Sequence, residues 1–309
     1  MKILLLGKNG QLGWELQRSL ALLGEVVACG RTEADLVDLS ALRSLVRRVS
    51  PQVIVNAAAY TAVDKAESEP ERAYLINSEA VHLLAQEACF LNAWFIHYST
   101  DYVFDGTKNG AYVETDTTGP LNIYGKTKLS GEQAIRESGC RHLIFRTSWV
   151  YATRGNNFIK TVLRLAGKNE ELKIVSDQFG APTSAELLAD VTAFCLYRLQ
   201  FDASLSSWQS GIYHLAPYGI TSWHGFAQFI IEEAQQHGAR LRSTPDRVIP
   251  IPASDYPLPA KRPSNSRLMT EKISTVFGLK LTPWQLHAKR VIFEIIYNNN
   301  YIDRIPIKP

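Results

Sequence analysis

The stretch Lys2-Ile3-Leu4-Leu5-Leu6-Gly7-Lys8-Asn9-Gly10-Gln11-Leu12-Gly13 runs from a short apolar strand pattern, through three glycines, into a helical pattern. Each glycine has its own task in such a turn. Gly7 lets the chain leave the strand sharply, Gly10 lets backbone approach a phosphate, and Gly13 permits close packing of helix on strand. The helix beginning at Gln11 and Leu12 then offers free N–H groups and a partial positive charge to a pyrophosphate. The spacing is G-x-x-G-x-x-G rather than the commoner G-x-G-x-x-G, so alone it is a weak sign.

The following residues supply the context. Apolar runs at Ile3–Leu6, Glu25–Cys29, Val53–Asn56, Trp94–Tyr98 and Leu143–Arg146 are short and rich in branched or aromatic residues. Between them, Gln11–Leu23, Ala41–Val49, Pro70–Leu91 and Tyr124–Glu137 carry helical spacing. That alternation predicts an α/β fold of Rossmann type, a doubly wound parallel sheet whose ligands sit at the carboxyl ends of the strands.

After about residue 150 the rhythm changes. Helices are expected at Phe158–Leu165, Ala185–Leu199, Thr221–His237 (capped by Thr221 or Ser222) and Pro283–Tyr297, with short strands at Leu172–Val175 and Gly211–Leu215. Recurring prolines from Pro245 to Pro263 exclude regular helix and predict an extended, wrapping segment. The expected division is a dinucleotide-binding domain over 1–155, with 184–215 returning to it, and a smaller substrate-binding region over 156–183 and 216–309.

Composition narrows the class. The 309 residues can bury a substantial core, and a net charge of +3 with both signs interspersed predicts neither a nucleic-acid partner nor a membrane-binding face. No apolar run approaches the ~20 residues that span a bilayer. The first residues lack the features of a signal peptide, so none is expected. Cys29, Cys89, Cys140 and Cys195 form no C-x-x-C pair and are expected as buried free thiols, which suits a cytoplasmic protein.

Cofactor choice in such folds is read after the second strand, where an acidic residue takes the adenosine ribose and an arginine accommodates a 2′-phosphate. Here the segment is Ala28-Cys29-Gly30-Arg31, so Arg31 favours NADPH, with NADH left open. Asp38 and Leu39 are expected to flank the adenine.

Further on, Tyr124 and Lys128 stand four apart, on one face of a helix. A free phenol has a pKa of ~10, and a neighbouring ammonium that stabilises the phenolate is expected to lower it, tuning Tyr124 as a general acid/base. Lys128 is also placed to bond the nicotinamide ribose. A Y-x-x-x-K pattern is common in helices. It gains weight from the strand Trp94–Tyr98 ending in Ser99-Thr100-Asp101, which puts a hydroxyl at a strand's carboxyl end.

With these pieces in view, the chain resembles the extended short-chain dehydrogenase/reductase superfamily and, within it, the dTDP-4-dehydrorhamnose reductases. The resemblance covers nearly the whole chain. It is carried by Gly7–Gly13, Asn56–Asp64, Ser99–Phe104, Asn122–Lys128, Arg146–Tyr151 and Arg262–Leu268. It implies Thr100, Tyr124 and Lys128 as the catalytic triad, and Ala57, Ala58, Thr61, Ala62 and Val63 along the cofactor. Asp101, Phe104 and Trp149 would form the sugar site, with Arg262, and more weakly Asn157 and Gln178, toward the diphosphate. One tryptophan could stack on the base, without a choice among them. It also implies Mg²⁺ at a homodimer interface through Glu15, Glu186 and Glu294, although no cluster in the sequence has metal-ligand spacing.

The implied reaction is reduction of the C4 ketone of dTDP-4-dehydro-L-rhamnose. Dehydratases of the superfamily carry Asp-Glu after the threonine, whereas here Asp101 is followed by Tyr102. Two alternatives stay open: a non-catalytic NADP-binding regulatory subunit, and a reductase or epimerase acting on another sugar nucleotide.

Overall fold

A computed structural model describes residues 1–202 and 209–302; residues 203–208 and 303–309 of the regions expected above lie outside the described residues. The strands β1 (Lys2–Leu6), β2 (Glu25–Cys29), β3 (Val53–Asn56), β4 (Trp94–Thr100) and β5 (Arg141–Thr147) form one sheet with a sixth strand, Gly211–His214. Spatial order is Gly211–His214, β5, β4, β3, β1, β2, and every pairing is parallel. The chain moves outward from β1 to β2, then crosses back to β3. That reversal opens a crevice at the strand tips.

The apolar runs read as they do because both sheet faces are covered. Ile3 and Leu5 enter one core, against helices Gln11–Leu20 and Ala185–Phe201. Leu4 and Leu6 enter the other, against Leu39–Val49 and Ala80–Phe90. Burying a large aliphatic side chain contributes roughly 1.5–3 kcal/mol, so strands apolar on both faces are held firmly. A third core lies beyond the strand tips, where Phe158–Ala166, Trp223–Gln236 and Trp284–Ile302 pack Ile159, Phe226, Ile230 and Val291 together.

Several boundaries differ from expectation. The expected helix Pro70–Leu91 is broken by a π-helical turn, Leu75–Glu79, between α-helices Pro70–Tyr74 and Ala80–Phe90. The turn places Asn77 where its side chain bonds Tyr60 N (2.8 Å), Tyr60 O (3.0 Å) and Thr127 Oγ1 (3.0 Å). One side chain thus ties the Asn56–Ala62 loop to the helix Ile123–Glu137. Ser222, not Thr221, caps the helix after it, accepting from Gly225 N at 3.0 Å. The proline-rich segment contains a strand, Val248–Ile251, paired with Leu172–Val175. A helix not anticipated, Glu271–Phe277, adds Ile273 and Phe277 to the sheet-side core. Three cysteines are buried and free as expected, but Cys89 is exposed.

Candidate active site

The glycine turn builds the floor of the crevice. Gly7 has φ +89°, and a Cβ there would lie 2.8 Å from Ala58 N. Its bareness lets the β1 turn meet the β3 turn. Gly10 caps the helix Gln11–Leu20 with no side-chain hydrogen bond, so the helix N-terminus is open toward the cavity. Around it lies a cavity of about 910 Å³, lined by the carboxyl ends of β1 to β5. Gly7, Gly10, Gln11, Leu12, Arg31, Ala57, Ala58, Thr61, Ala62 and Val63 all line it. This open cradle fits the pyrophosphate of a dinucleotide.

The reactive groups come from the other side of the same cavity. Thr100 ends β4, and its Oγ1 donates to Asp101 Oδ1 (3.0 Å) while accepting from Tyr102 N (3.2 Å). Asn122 starts the next helix, with Oδ1 accepting from Gly125 N at 2.8 Å and Nδ2 donating to Lys261 O at 2.7 Å. Gly125 lets that helix dock, since a Cβ there would sit 2.2 Å from Tyr102 O. Tyr124 is thereby brought beside Tyr102, the rings edge-on with centroids 5.9 Å apart. Thr100, Asp101, Tyr124, Lys128 and Trp149 all line the cavity.

Electrostatics depart from expectation. Burial, and then the Asp101 carboxylate, push the Tyr124 phenol upward, while the Thr100 hydroxyl works the other way. Lys128 does not pull it down as the four-residue spacing suggested. Its Nζ is hydrogen-bonded to His97 Nε2 at 3.0 Å, and burial lowers the ammonium to about 8 against the upward pull of Glu132. Burial also raises Asp101 to about 6, against the lowering pull of the Ser266 and Thr100 hydroxyls.

Other expected residues sit elsewhere. Gly13 does not line the cavity. It is buried, and a Cβ would lie 2.0 Å from Gly7 O, so its task is packing. Asp38 caps the helix Leu39–Val49 by accepting from Ala41 N (2.9 Å), and Asp35 and Leu36 take the place on the cavity wall expected for Asp38 and Leu39. Phe104 is buried away from the cavity, stacked on Tyr112 with centroids 4.1 Å apart. Asn157 is spent as a helix cap, accepting from Lys160 N and donating to Gln11 Oε1, while Asn156 faces the cavity. Gln178 is absent from the lining, and Arg262 holds Asp64 through two bonds of 2.9 and 2.7 Å.

The three glutamates expected at a metal come near one another, but arginines already pair them. Arg18 approaches Glu15 (3.8 Å), and Arg290 approaches Glu186 (3.6 Å) and Glu294 (3.2 Å). Among the described residues no group of three or more His, Cys, Asp or Glu is arranged to hold a metal ion. The magnesium expectation therefore has no support in this arrangement.

Two residues escaped the sequence reading. Trp223 lines the cavity and stacks on Trp149, which itself has φ +50°. Nothing in the pattern singled it out among the six tryptophans. His97 did leave a signal, as a polar residue inside the apolar run Trp94–Tyr98.

Known proteins with this chain architecture make the assignment. The family model described as RmlD substrate binding domain matches residues 1–296. The dTDP-4-dehydrorhamnose reductase of Shigella flexneri is 50% identical over 303 residues, covering 96% of this chain and 98% of that protein. The chain belongs to the dTDP-4-dehydrorhamnose reductase family. A crystal structure of the family member from Bacillus anthracis, solved in complex with NADP, superposes with a TM-score of 0.86 at 31% identity, covering 95% of this chain and 99% of that one. The UDP-glucose 4-epimerase of Thermus thermophilus, at 17% identity and a TM-score of 0.78, shares the fold. Among the described residues no helix is long and apolar enough to cross a membrane.

Proposed function

We propose that this member of the family reduces the C4 ketone of dTDP-4-dehydro-L-rhamnose to dTDP-L-rhamnose with NADPH. The observation that carries the reading is the convergence of Thr100, Tyr124 and Lys128 on one cavity that begins at an open helix N-terminus. Names of relatives at 50% identity over nearly full length support the same substrate. The NADP complex of the Bacillus anthracis relative supports the cofactor, as does Arg31 on the cavity wall. The four free cysteines support a cytoplasmic location.

A nicotinamide cofactor held along this cavity would supply the hydride. The chain's residues do the rest. Tyr124, held protonated by burial and by Asp101, gives its proton to the forming C4 alkoxide. Thr100 orients the carbonyl oxygen, and its hydroxyl lowers the cost of the phenolate left behind, while the Lys128 ammonium would hold the nicotinamide ribose. Trp149 and Trp223 form the apolar wall against which the sugar nucleotide lies. Residues 1–155 with 184–215 serve the dinucleotide, and 156–183 with 216–309 serve the sugar nucleotide.

Purified protein assayed with the dTDP and UDP keto-sugars, each with NADPH and NADH, tests this. Fastest consumption with NADPH and the dTDP sugar is expected. Tight NADPH binding without consumption of either sugar would favour the regulatory reading, and preference for UDP would reassign the substrate.

A further inference from the structure

We propose that His97 is a positioning residue of this site: its Nε2 accepts a hydrogen bond from the Lys128 ammonium and fixes that charge at the cavity wall. This rests on the reductase reading for its role in turnover, though not for its geometry.

Both partners are 1% exposed, and Lys128 is among the largest fully buried side chains of the protein. A buried ammonium without an acceptor is costly. The acceptor here is His97 at 3.0 Å. With Nε2 accepting, the neutral ring carries its proton on Nδ1, which lies 3.4 Å from the Asn56 amide nitrogen at the end of β3, a contact between two donors that adds no bond. The bond that sets the ring is the one to Lys128 on the neighbouring helix.

The surroundings explain why a histidine suits the position. The charged and titratable groups about Lys128 are His97 from β4, Tyr124 and Glu132 from its own helix, and Arg146 from β5, which acts through Glu132. Arg146 holds both oxygens of Glu132, at 2.9 and 2.6 Å, in a buried ion pair. Much of the Glu132 charge is thus taken up, and its pull on Lys128 is weakened. The adjoining π-helical turn presents Asn77, which is uncharged and occupied by Tyr60 and Thr127. Burial and the neighbouring ammonium keep His97 neutral, well below its ordinary range. A neutral acceptor holds the ammonium in place without cancelling its charge. A carboxylate there would cancel it.

The test compares two polar variants. In His97→Gln the side-chain amide reaches the position of Nε2, whereas in His97→Asn it stops near Nδ1. Lysine ε-carbon NMR of cofactor-free protein, with the Lys128 signal assigned by its loss in Lys128→Arg, reads the ammonium directly. The Lys128 midpoint is expected to stay near the wild-type value in His97→Gln and to fall by about one pH unit or more in His97→Asn. The alkaline limb of turnover should move down with it, and kcat at neutral pH should drop roughly tenfold or more in His97→Asn alone. Equal midpoints in the wild type and both variants, or equal shifts in both, would overturn the assignment. If wild-type protein turns over no keto-sugar, the reductase reading falls, and the NMR midpoints still decide whether His97 holds Lys128.

Discussion

The indole of Trp149 lies on that of Trp223, with ring centroids 3.5 Å apart and planes 11° from parallel. One ring follows β5 and the other begins the helix Trp223–Gln236, so the stack joins the sheet to the C-terminal helices at the cavity wall. Gly180 lies against the same indole, and a Cβ there would come within 2.9 Å of Trp149 Cε2. Gly180→Ala must therefore shift the Trp149 ring. Steady-state kinetics should show KM for the sugar nucleotide raised about tenfold, with affinity for NADPH unchanged. An unaltered KM would separate Trp149 from the substrate.

Gly13→Ala probes the turn that opens the sequence. A methyl group 2.0 Å from Gly7 O cannot be accommodated without moving the helix away from β1. Overpacking of this kind costs about 1–3 kcal/mol. Thermal unfolding should show a lower Tm, and calorimetry a weaker affinity for the nicotinamide cofactor, because the open helix N-terminus moves too.

Asp101 gives a pH dependence with a definite sign. Its carboxyl is raised from 3.8 to about 6 in the folded protein, chiefly by burial. Below the unfolded value it is neutral in both states and costs nothing. As pH rises toward and through 6 it must ionise in a buried place, and stability falls by up to about 3 kcal/mol. Asp101→Asn removes that cost. Its Tm advantage over wild type should be larger near pH ~7.5 than near pH ~4; an offset independent of pH would show that Asp101 is not held in this way.

Arg31 lies on the cavity wall just after β2, its Nε 3.3 Å from Asp35 Oδ2. Arginine at this place accommodates a 2′-phosphate, and a neighbouring carboxylate suits a free ribose hydroxyl. Arg31→Ala should weaken NADPH about tenfold while leaving NADH nearly unchanged, as the loss of one charge-assisted contact would. Fluorescence titration with each cofactor measures the ratio. Equal losses for both would remove Arg31 from cofactor choice.

The parallel sheet was legible because both of its faces are covered, which leaves apolar runs such as Ile3–Leu6 standing out between amphipathic helices. Thr100, Tyr124 and Lys128 were legible because local spacing places each at a strand tip or on one helix face. What the sequence concealed depended on partners far along the chain. Tyr124 could be found, but not that burial and Asp101 raise it, nor that Lys128 turns to His97, 31 residues earlier. Asp38 and Asn157 looked like ligand contacts because short polar side chains beside a helix start serve caps and sites equally well. Phe104 lies beyond a 3₁₀ turn, Asp101–Val103, that carries it into its own small core with Tyr112. Trp223 is brought to Trp149 only by the packing of the C-terminal helices.

The central claim is that Tyr124 delivers the proton while hydride reaches C4. Rapid-mixing turnover of wild type and Tyr124→Phe with deuterated NADPH and dTDP-4-dehydro-L-rhamnose, read by mass spectrometry of the product, tests it most directly. The account predicts deuterium at C4 in wild type, with the variant binding NADPH normally and turning over about 10²- to 10⁴-fold more slowly. Near-normal turnover in Tyr124→Phe, or a wild-type product without deuterium at C4, would contradict it.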